Sequence, residues 1–282
     1  LKLIECPRDA WQGFHRFIPT QQKVDYINLL LKVGFDTIDF GSFVSAKAMP
    51  QVSDTPLLLR QLDTSNSKTK LLAIVANERG ASEACKFEQI NYLGYPFSIS
   101  ETFQQRNTNA SIAASLERVK HIAEVASGTG KELVIYISMG FGNPFGDPWR
   151  PEIVVDWVNK LAELGIKTFS LSDTVGVAKT EDIISLFSGL IPLYPTLEFG
   201  AHFHTRPDQW RIKIEAAYSA GCSRFDGAIL GYGGCPMAQD ELVGNMPTEK
   251  LVDFVLEKQS TVQLDLQVFQ EAKSRFLHLI QN

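Results

Sequence analysis

Short apolar, β-rich runs alternate along the chain with longer segments whose apolar residues recur every three or four positions. The runs predict eight strands, at 3–6, 37–40, 70–75, 89–93, 132–138, 168–171, 197–202 and 224–228. Helices are expected between them, over 20–33, 111–127, 151–164, 180–190, 208–220 and 248–257. The segment 111–127 carries Ile112, Leu116, Val119, Ile122, Ala123 and Ala126 on one face. The helix from Pro151 starts on proline and stops at Gly165, and Thr20 and Thr248 read as N-caps. Three times a helix ends at a glycine and feeds a strand, at Gly34, Gly165 and Gly221.

Eight β-α units with no Pro/Ser-rich linker between them predict one (β/α)8 (TIM) barrel. The competing arrangement, a doubly wound sheet with an appended helical domain, calls for a glycine-rich turn after the first strand, and Pro7-Arg8-Asp9 stands there instead. The barrel core is expected over 1–258, with a C-terminal extension, 259–282, that forms a helix over 262–279 and packs outside the barrel.

The chain has 282 residues and a net charge of −5, which argues against a nucleic-acid binder, since such proteins usually carry a basic excess. No stretch approaches the ~20 apolar residues of a membrane span, and the first residues do not read as a signal peptide. The four cysteines, Cys6, Cys85, Cys222 and Cys235, are scattered without a CxxC pair, so free thiols in a reducing compartment are expected. The expected location is the cytoplasm of a bacterium, or an organelle matrix if a transit peptide has been removed.

In such barrels the chemistry lies at the C-terminal ends of the strands. Collecting the polar residues there gives Arg8 and Asp9, Asp39 and Ser42, Ser138, Ser172-Asp173-Thr174, His202-Phe203-His204, and a loop Gly231-Tyr232-Gly233-Gly234-Cys235-Pro236. The His-x-His pair is the sharpest signal. Alternate residues of a strand face the same side, and two imidazoles with a carboxylate from Asp9 or Asp173 suit a divalent cation. The other reading of the pair is one hydrogen-bonded and one exposed histidine. Arg8 beside Asp9 reads either as a surface ion pair or as a cation that polarises a substrate oxygen. Cys235 reads either as a half-buried thiol or as a proton donor, on a loop whose glycines permit close approach to a ligand.

These residues resemble the 3-hydroxy-3-methylglutaryl-CoA lyase family. The matching stretches are Pro-Arg-Asp-Ala-Trp-Gln-Gly at 7–13, Ser-Phe-Val-Ser-Ala-Lys at 42–47 with Pro50-Gln51, Ser-Leu-Ser-Asp-Thr-Val-Gly-Val at 170–177, His-Phe-His at 202–204, and Gly-Gly-Cys-Pro-Met-Ala-Gln at 233–239 followed by Gly244-Asn245. The resemblance implies cleavage of 3-hydroxy-3-methylglutaryl-CoA to acetyl-CoA and acetoacetate, as in leucine breakdown, by a homodimer or other homo-oligomer. It implies Mg2+ or Mn2+ held by Asp9, His202, His204 and Asn245. Arg8 would steady the enolate oxygen, His202 or Asp9 would take the hydroxyl proton, and Cys235 would act as acid or base. Asp39 would orient Arg8, and Gln12, Ser42, Asn107 and Asp173 would stand around the substrate.

Three stretches depart from the family pattern. Thr205-Arg206 replaces the usual Asp-Thr or Asp-Asn, which implies loss of a carboxylate that orients the ligands. The loop before Gly244 is one residue longer, which shifts the expected place of Asn245. Phe14-His15-Arg16-Phe17 replaces a more polar stretch, which bears on whether the acyl carrier is CoA or the substrate is a free acid. The alternatives are an acetyl-CoA-condensing synthase and a free-acid aldolase of the same superfamily, neither of which needs Cys235, and a barrel turned binding protein.

Overall fold

A computed structural model describes residues 1–14, 16–234 and 243–281. Eight parallel strands close into one barrel in sequence order: β1 Lys2–Glu5, β2 Thr37–Ser42, β3 Lys70–Ile74, β4 Ile90–Ser98, β5 Glu132–Ser138, β6 Thr168–Asp173, β7 Glu198–Phe203 and β8 Arg224–Gly227. All eight expected strands are present. The largest difference is β4, which continues five residues past its expected end and through Pro96. Gly94 accepts from the amide of Val75 on the β3 side, so Pro96, two residues on, turns its missing N–H to the same side. β3 ends its pairing at Ile74, opposite Gly94, so the proline falls just past the paired stretch on that side.

Helices cover the outside, among them Ile112–Gly128, Pro151–Glu163, Thr180–Leu193 and Trp210–Ser219. Four further short helices interrupt stretches read as loops: Pro7–Trp11, Thr55–Leu59, Glu78–Ala84 and Glu101–Thr108. They are too short for an apolar period to show. The C-terminal helix runs Leu266–Gln281, four residues later than expected, and buries Phe269, Ala272 and Phe276 against the barrel exterior. The amide of Asp265 donates to Val33 O and Asp265 accepts from Val268, which fixes the later start. Among the described residues no helix is long and apolar enough to cross a membrane.

The barrel interior is divided in character. Leu72, Ile74, Tyr92, Val134 and Tyr136, from β3, β4 and β5, form an apolar cluster of their own. Gly94 completes this side, since a Cβ there would lie 2.6 Å from Ile74 Cδ1. The opposite side is polar, with Asp39, Ser170, His202, Arg224 and Asp226 all buried. Burying these groups is unfavourable unless they are paired, so their pairing determines what the barrel can bind.

Candidate active site

A cavity of about 540 Å³ opens at the C-terminal ends of the strands. Arg8, Asp9, Gln12, Asn107, Tyr136, Ser138, Ser172, Thr174, His202 and His204 are on its wall, so nine residues singled out in the sequence converge there beside Tyr136.

Arg8 and Asp9 stand on the one-turn helix Pro7–Trp11, which starts directly after β1. Proline at its first position needs no amide partner and presets the turn. Arg8 is fixed on three sides. Nε and Nη2 donate to the Asp39 carboxylate at 3.1 and 2.5 Å, and Nη1 donates to Asp9 Oδ1 at 2.9 Å and Gln12 Oε1 at 2.8 Å. A guanidinium has five N–H donors. These contacts use four of them and leave one on Nη2. Two carboxylates beside it keep Arg8 charged.

Asp9 accepts from Gln12 Nε2 at 2.6 Å and from Asn245 Nδ2 at 2.8 Å. Burial works to raise its pKa, but Arg8, and then the two imidazoles, outweigh it and hold the carboxyl at about 2. Asp39 is fully buried, and burial outweighs Arg8 to lift it to about 6, so it too is ionised at neutral pH.

His202 and His204 sit at the end of β7 with ring centroids 5.4 Å apart. His204 Nδ1 is 2.8 Å from Val243 O. A carbonyl only accepts, so the proton is on Nδ1 and the Nε2 lone pair is free. His202 Nδ1 is 3.2 Å from Asp226 Oδ2, while its Nε2 faces Asp9 Oδ2 at 3.9 Å. Here too the carboxylate places the proton on Nδ1. Burial works to lower the His202 pKa, but the bond to Asp226 overcomes it and the net shift is upward; burial and the neighbouring His202 push His204 down. One donor atom each from Asp9, His202 and His204 lie within 4.8 Å of one another. Asn245, buried against Asp9 and bridged to His204, brings an amide beside them.

Asp226 on β8 was not singled out from sequence. It replaces in space what Thr205-Arg206 lacks in sequence, a carboxylate behind an imidazole, and Ser170 Oγ donates to the same oxygen at 3.1 Å. The only sequence signal was its position two residues before the strand end, on the inward face. Asn245 reaches Asp9 despite the longer loop before it. Arg106 and Arg118, from the helices Glu101–Thr108 and Ile112–Gly128, also line the cavity and were not anticipated.

Four residues weighed in the sequence stand elsewhere. Ser42 lies past a register shift in β2, and its hydroxyl donates to Ile74 O at 3.0 Å in the seam with β3 instead of facing the cavity. Asp173 accepts from Lys213 Nζ at 2.6 Å and from the amides of Val177 and Ala178, so its carboxylate is taken up by the turn after β6. Phe14 packs on Tyr232 and Phe276, and Phe17 lies under Lys23. Both line a separate cavity of about 320 Å³ against the C-terminal helix. Cys235 lies outside the described residues, as do His15 and 240–242.

Known proteins share this sequence pattern and this barrel. The 3-hydroxy-3-methylglutaryl-CoA lyase, cytoplasmic, of Danio rerio is 31% identical over 255 residues, covering 89% of this chain and 75% of its own. Hydroxymethylglutaryl-CoA lyase of Pseudomonas mevalonii is 32% identical over 256 residues, covering 89% and 83%. A solved HMG-CoA lyase of Acinetobacter baumannii, in complex with coenzyme A and 3-methylmalate, superposes with a TM-score of 0.92 at 29% identity, covering 100% of this chain and 92% of that one. The model of the HMGL-like family matches residues 3–275, from the first strand into the last helix, and the chain belongs to that family.

Proposed function

We propose that this protein is a divalent-cation-dependent carbon–carbon lyase that cleaves 3-hydroxy-3-methylglutaryl-CoA to acetyl-CoA and acetoacetate. The observation that carries the reading is one carboxylate and two imidazoles converging within 4.8 Å, beside an arginine clamped over the same cavity. The donor set fits Mg2+ or Mn2+: Asp9 is ionised, and Nε2 of each histidine is left free by its Nδ1 contact. With the amide oxygen of Asn245, these residues would hold the ion. When bound, the ion supplies a Lewis acid that lowers the pKa of the substrate hydroxyl.

Breaking a carbon–carbon bond beside a tertiary alcohol requires loss of the hydroxyl proton and a place for the electron pair. His202 and Asp9 stand 3.9 Å apart on the wall of the cavity that would receive the substrate. His202, with its proton on Nδ1 held by Asp226 and its one lone pair on Nε2 given to the ion, would position the substrate, and the Asp9 carboxylate would take the proton. The electrons pass into the thioester as an enolate. The remaining Nη2 proton of Arg8 meets the developing charge, and the Asp39 clamp means that the guanidinium need not reorganise. The Cys235 thiol then protonates the enolate carbon. Arg106 and Arg118 on the wall give the cavity the positive charge that an anionic CoA ester requires.

Product analysis tests the reading. Metal-stripped protein given 3-hydroxy-3-methylglutaryl-CoA should yield neither product, and added Mg2+ or Mn2+ should release acetyl-CoA and acetoacetate in equal amounts. Cleavage of 3-hydroxy-3-methylglutarate but not of its CoA ester would replace this reading with the free-acid aldolase.

A further inference from the structure

Beneath the site, on the polar side of the barrel interior, a second set of donors surrounds the other face of His202. Cys6, the residue between β1 and the helix Pro7–Trp11, is fully buried, and donor atoms from Cys6, His202 and Asp226 lie within 4.8 Å of one another. The Cys6 thiol has no strong partner; its one contact is Ile4 O at 3.9 Å. Asp226 Oδ1, Tyr136 Oη, and Nε and Nη2 of Arg224 are all buried without a hydrogen-bond partner. Tyr136 packs edge-on against the His202 ring, and Arg224 Nε stands 4.0 Å from Asp226 Oδ1. Buried polar atoms are nearly always satisfied, so the open Asp226 Oδ1 beside a thiol without a strong partner marks a place for a cation, while the Arg224 N–H groups are donors and call for a different partner.

We propose that Cys6, Nδ1 of His202 and Asp226 form a second, thiophilic cation site, suited to Zn2+, and that filling it opposes cation binding at Asp9, His202 and His204. The donor types differ between the two levels. The upper set is oxygen and imidazole, whereas the lower adds sulfur, which selects Zn2+ over Mg2+ and Mn2+. Zinc bonds of about 2.0–2.3 Å need each lower donor to close by roughly half an ångström to 1 Å. Cys6 releases its proton to solvent on binding.

The antagonism, which rests on the cation assignment above, follows from the shared ring. A neutral imidazole offers one lone pair. With the proton on Nδ1, Nε2 serves the upper site; a Zn–Nδ1 bond moves the proton to Nε2 and removes His202 from that site. Charge acts in the same direction. Arg8 and Arg224 stand against Asp9, Asp39 and Asp226, so the chamber accommodates one divalent cation more readily than two.

The probe is Cd2+, whose bond to a thiolate gives an ultraviolet charge-transfer band. Metal-free protein carrying Cys235→Ser should develop this band with one equivalent, and excess Mn2+ should raise the Cd2+ needed at least tenfold. Adding Cys6→Ser or Cys6→Ala should abolish the band while thermal melting stays unchanged. In protein with Cys235 intact, either Cys6 variant should keep basal lyase activity within twofold and need at least tenfold more Zn2+ for half-inhibition. A band that persists without Cys6 would overturn the site. A band that requires Cys6 but ignores Mn2+ would overturn the antagonism and leave the deeper site standing, whatever becomes of the lyase reading.

Discussion

Arg8 reaches the cavity with four of its five N–H groups already bound, which makes it a fixed donor and not a flexible charge. Arg8→Gln should lower turnover by about 10²–10³ or more, while calorimetric titration with Mn2+ still shows binding. A loss of less than about tenfold would make Arg8 peripheral. Asp226 works through His202 by holding its proton on Nδ1. Asp226→Asn keeps the shape but removes the charge, and cation affinity should fall about 10–100-fold. Unchanged affinity would mean that packing against Tyr136 alone sets the ring. Cys235→Ser keeps size and polarity but raises the pKa of the donor. It should slow product formation severely while metal and substrate binding persist, and turnover at the wild-type rate would remove Cys235 from the mechanism.

Between elements, the ends of β6 and β7 are tied by one buried ammonium. Lys213, on the helix Trp210–Ser219, donates to Asp173 Oδ2 at 2.6 Å and to Gly176 O and His204 O at 3.0 Å. Removing one member of a buried pair strands the other, typically at about 3–5 kcal/mol. Lys213→Met should therefore lower stability by about that much in urea denaturation, and the surviving folded protein should bind cation more weakly because His204 loses its backbone anchor. A change below about 1 kcal/mol would mean that the turn after β6 holds Asp173 unaided. Close approach is equally demanding at Gly233, where φ is +104° and a Cβ would lie 2.5 Å from Asn245 Nδ2 and 2.6 Å from Asp9 O. No side chain fits between the loop and the candidate ligands.

For the whole molecule, closure of the barrel joins β1 to β8 and buries Glu5 beneath the helix Thr248–Glu257. Its carboxyl faces Thr248 Oγ1 at 2.5 Å and the amide of Ile229 at 3.0 Å. Burial outweighs these bonds and lifts its pKa to about 8. The folded chain therefore holds a proton that the unfolded chain releases near its ordinary value of 4.5. Glu5 is neutral to stability below that value, and its ionisation cost lowers stability as pH rises towards 8, by at most about 1.4 kcal/mol per pH unit. Glu5→Gln should flatten the fall in unfolding free energy measured between pH 5 and 8. An unchanged slope would place the proton elsewhere.

The alternation of eight strands with helices was legible because a helix buries one face, which imposes a period of 3.6, while strands buried on both faces read as short continuous apolar runs. The closed barrel followed from the number and order of those elements. Arg8, Asp9, His202 and His204 could be placed together because strand ends are the functional rim of such a barrel, and Asn245 from the resemblance, while Cys235, read from its glycine-rich loop, lies outside the described residues. What tertiary structure alone decided is which side chains share space across the closed sheet. Asp226 meets His202 from a neighbouring strand 24 residues away, and no local pattern marks that meeting. Ser42 turned into a seam because of a register shift, and Asp173 turned to a lysine 40 residues on. Sequence periodicity reports which face a residue takes. Pairing inside a barrel depends on register and on the stacking of layers from strands far apart in the chain, and these are fixed only when the sheet closes.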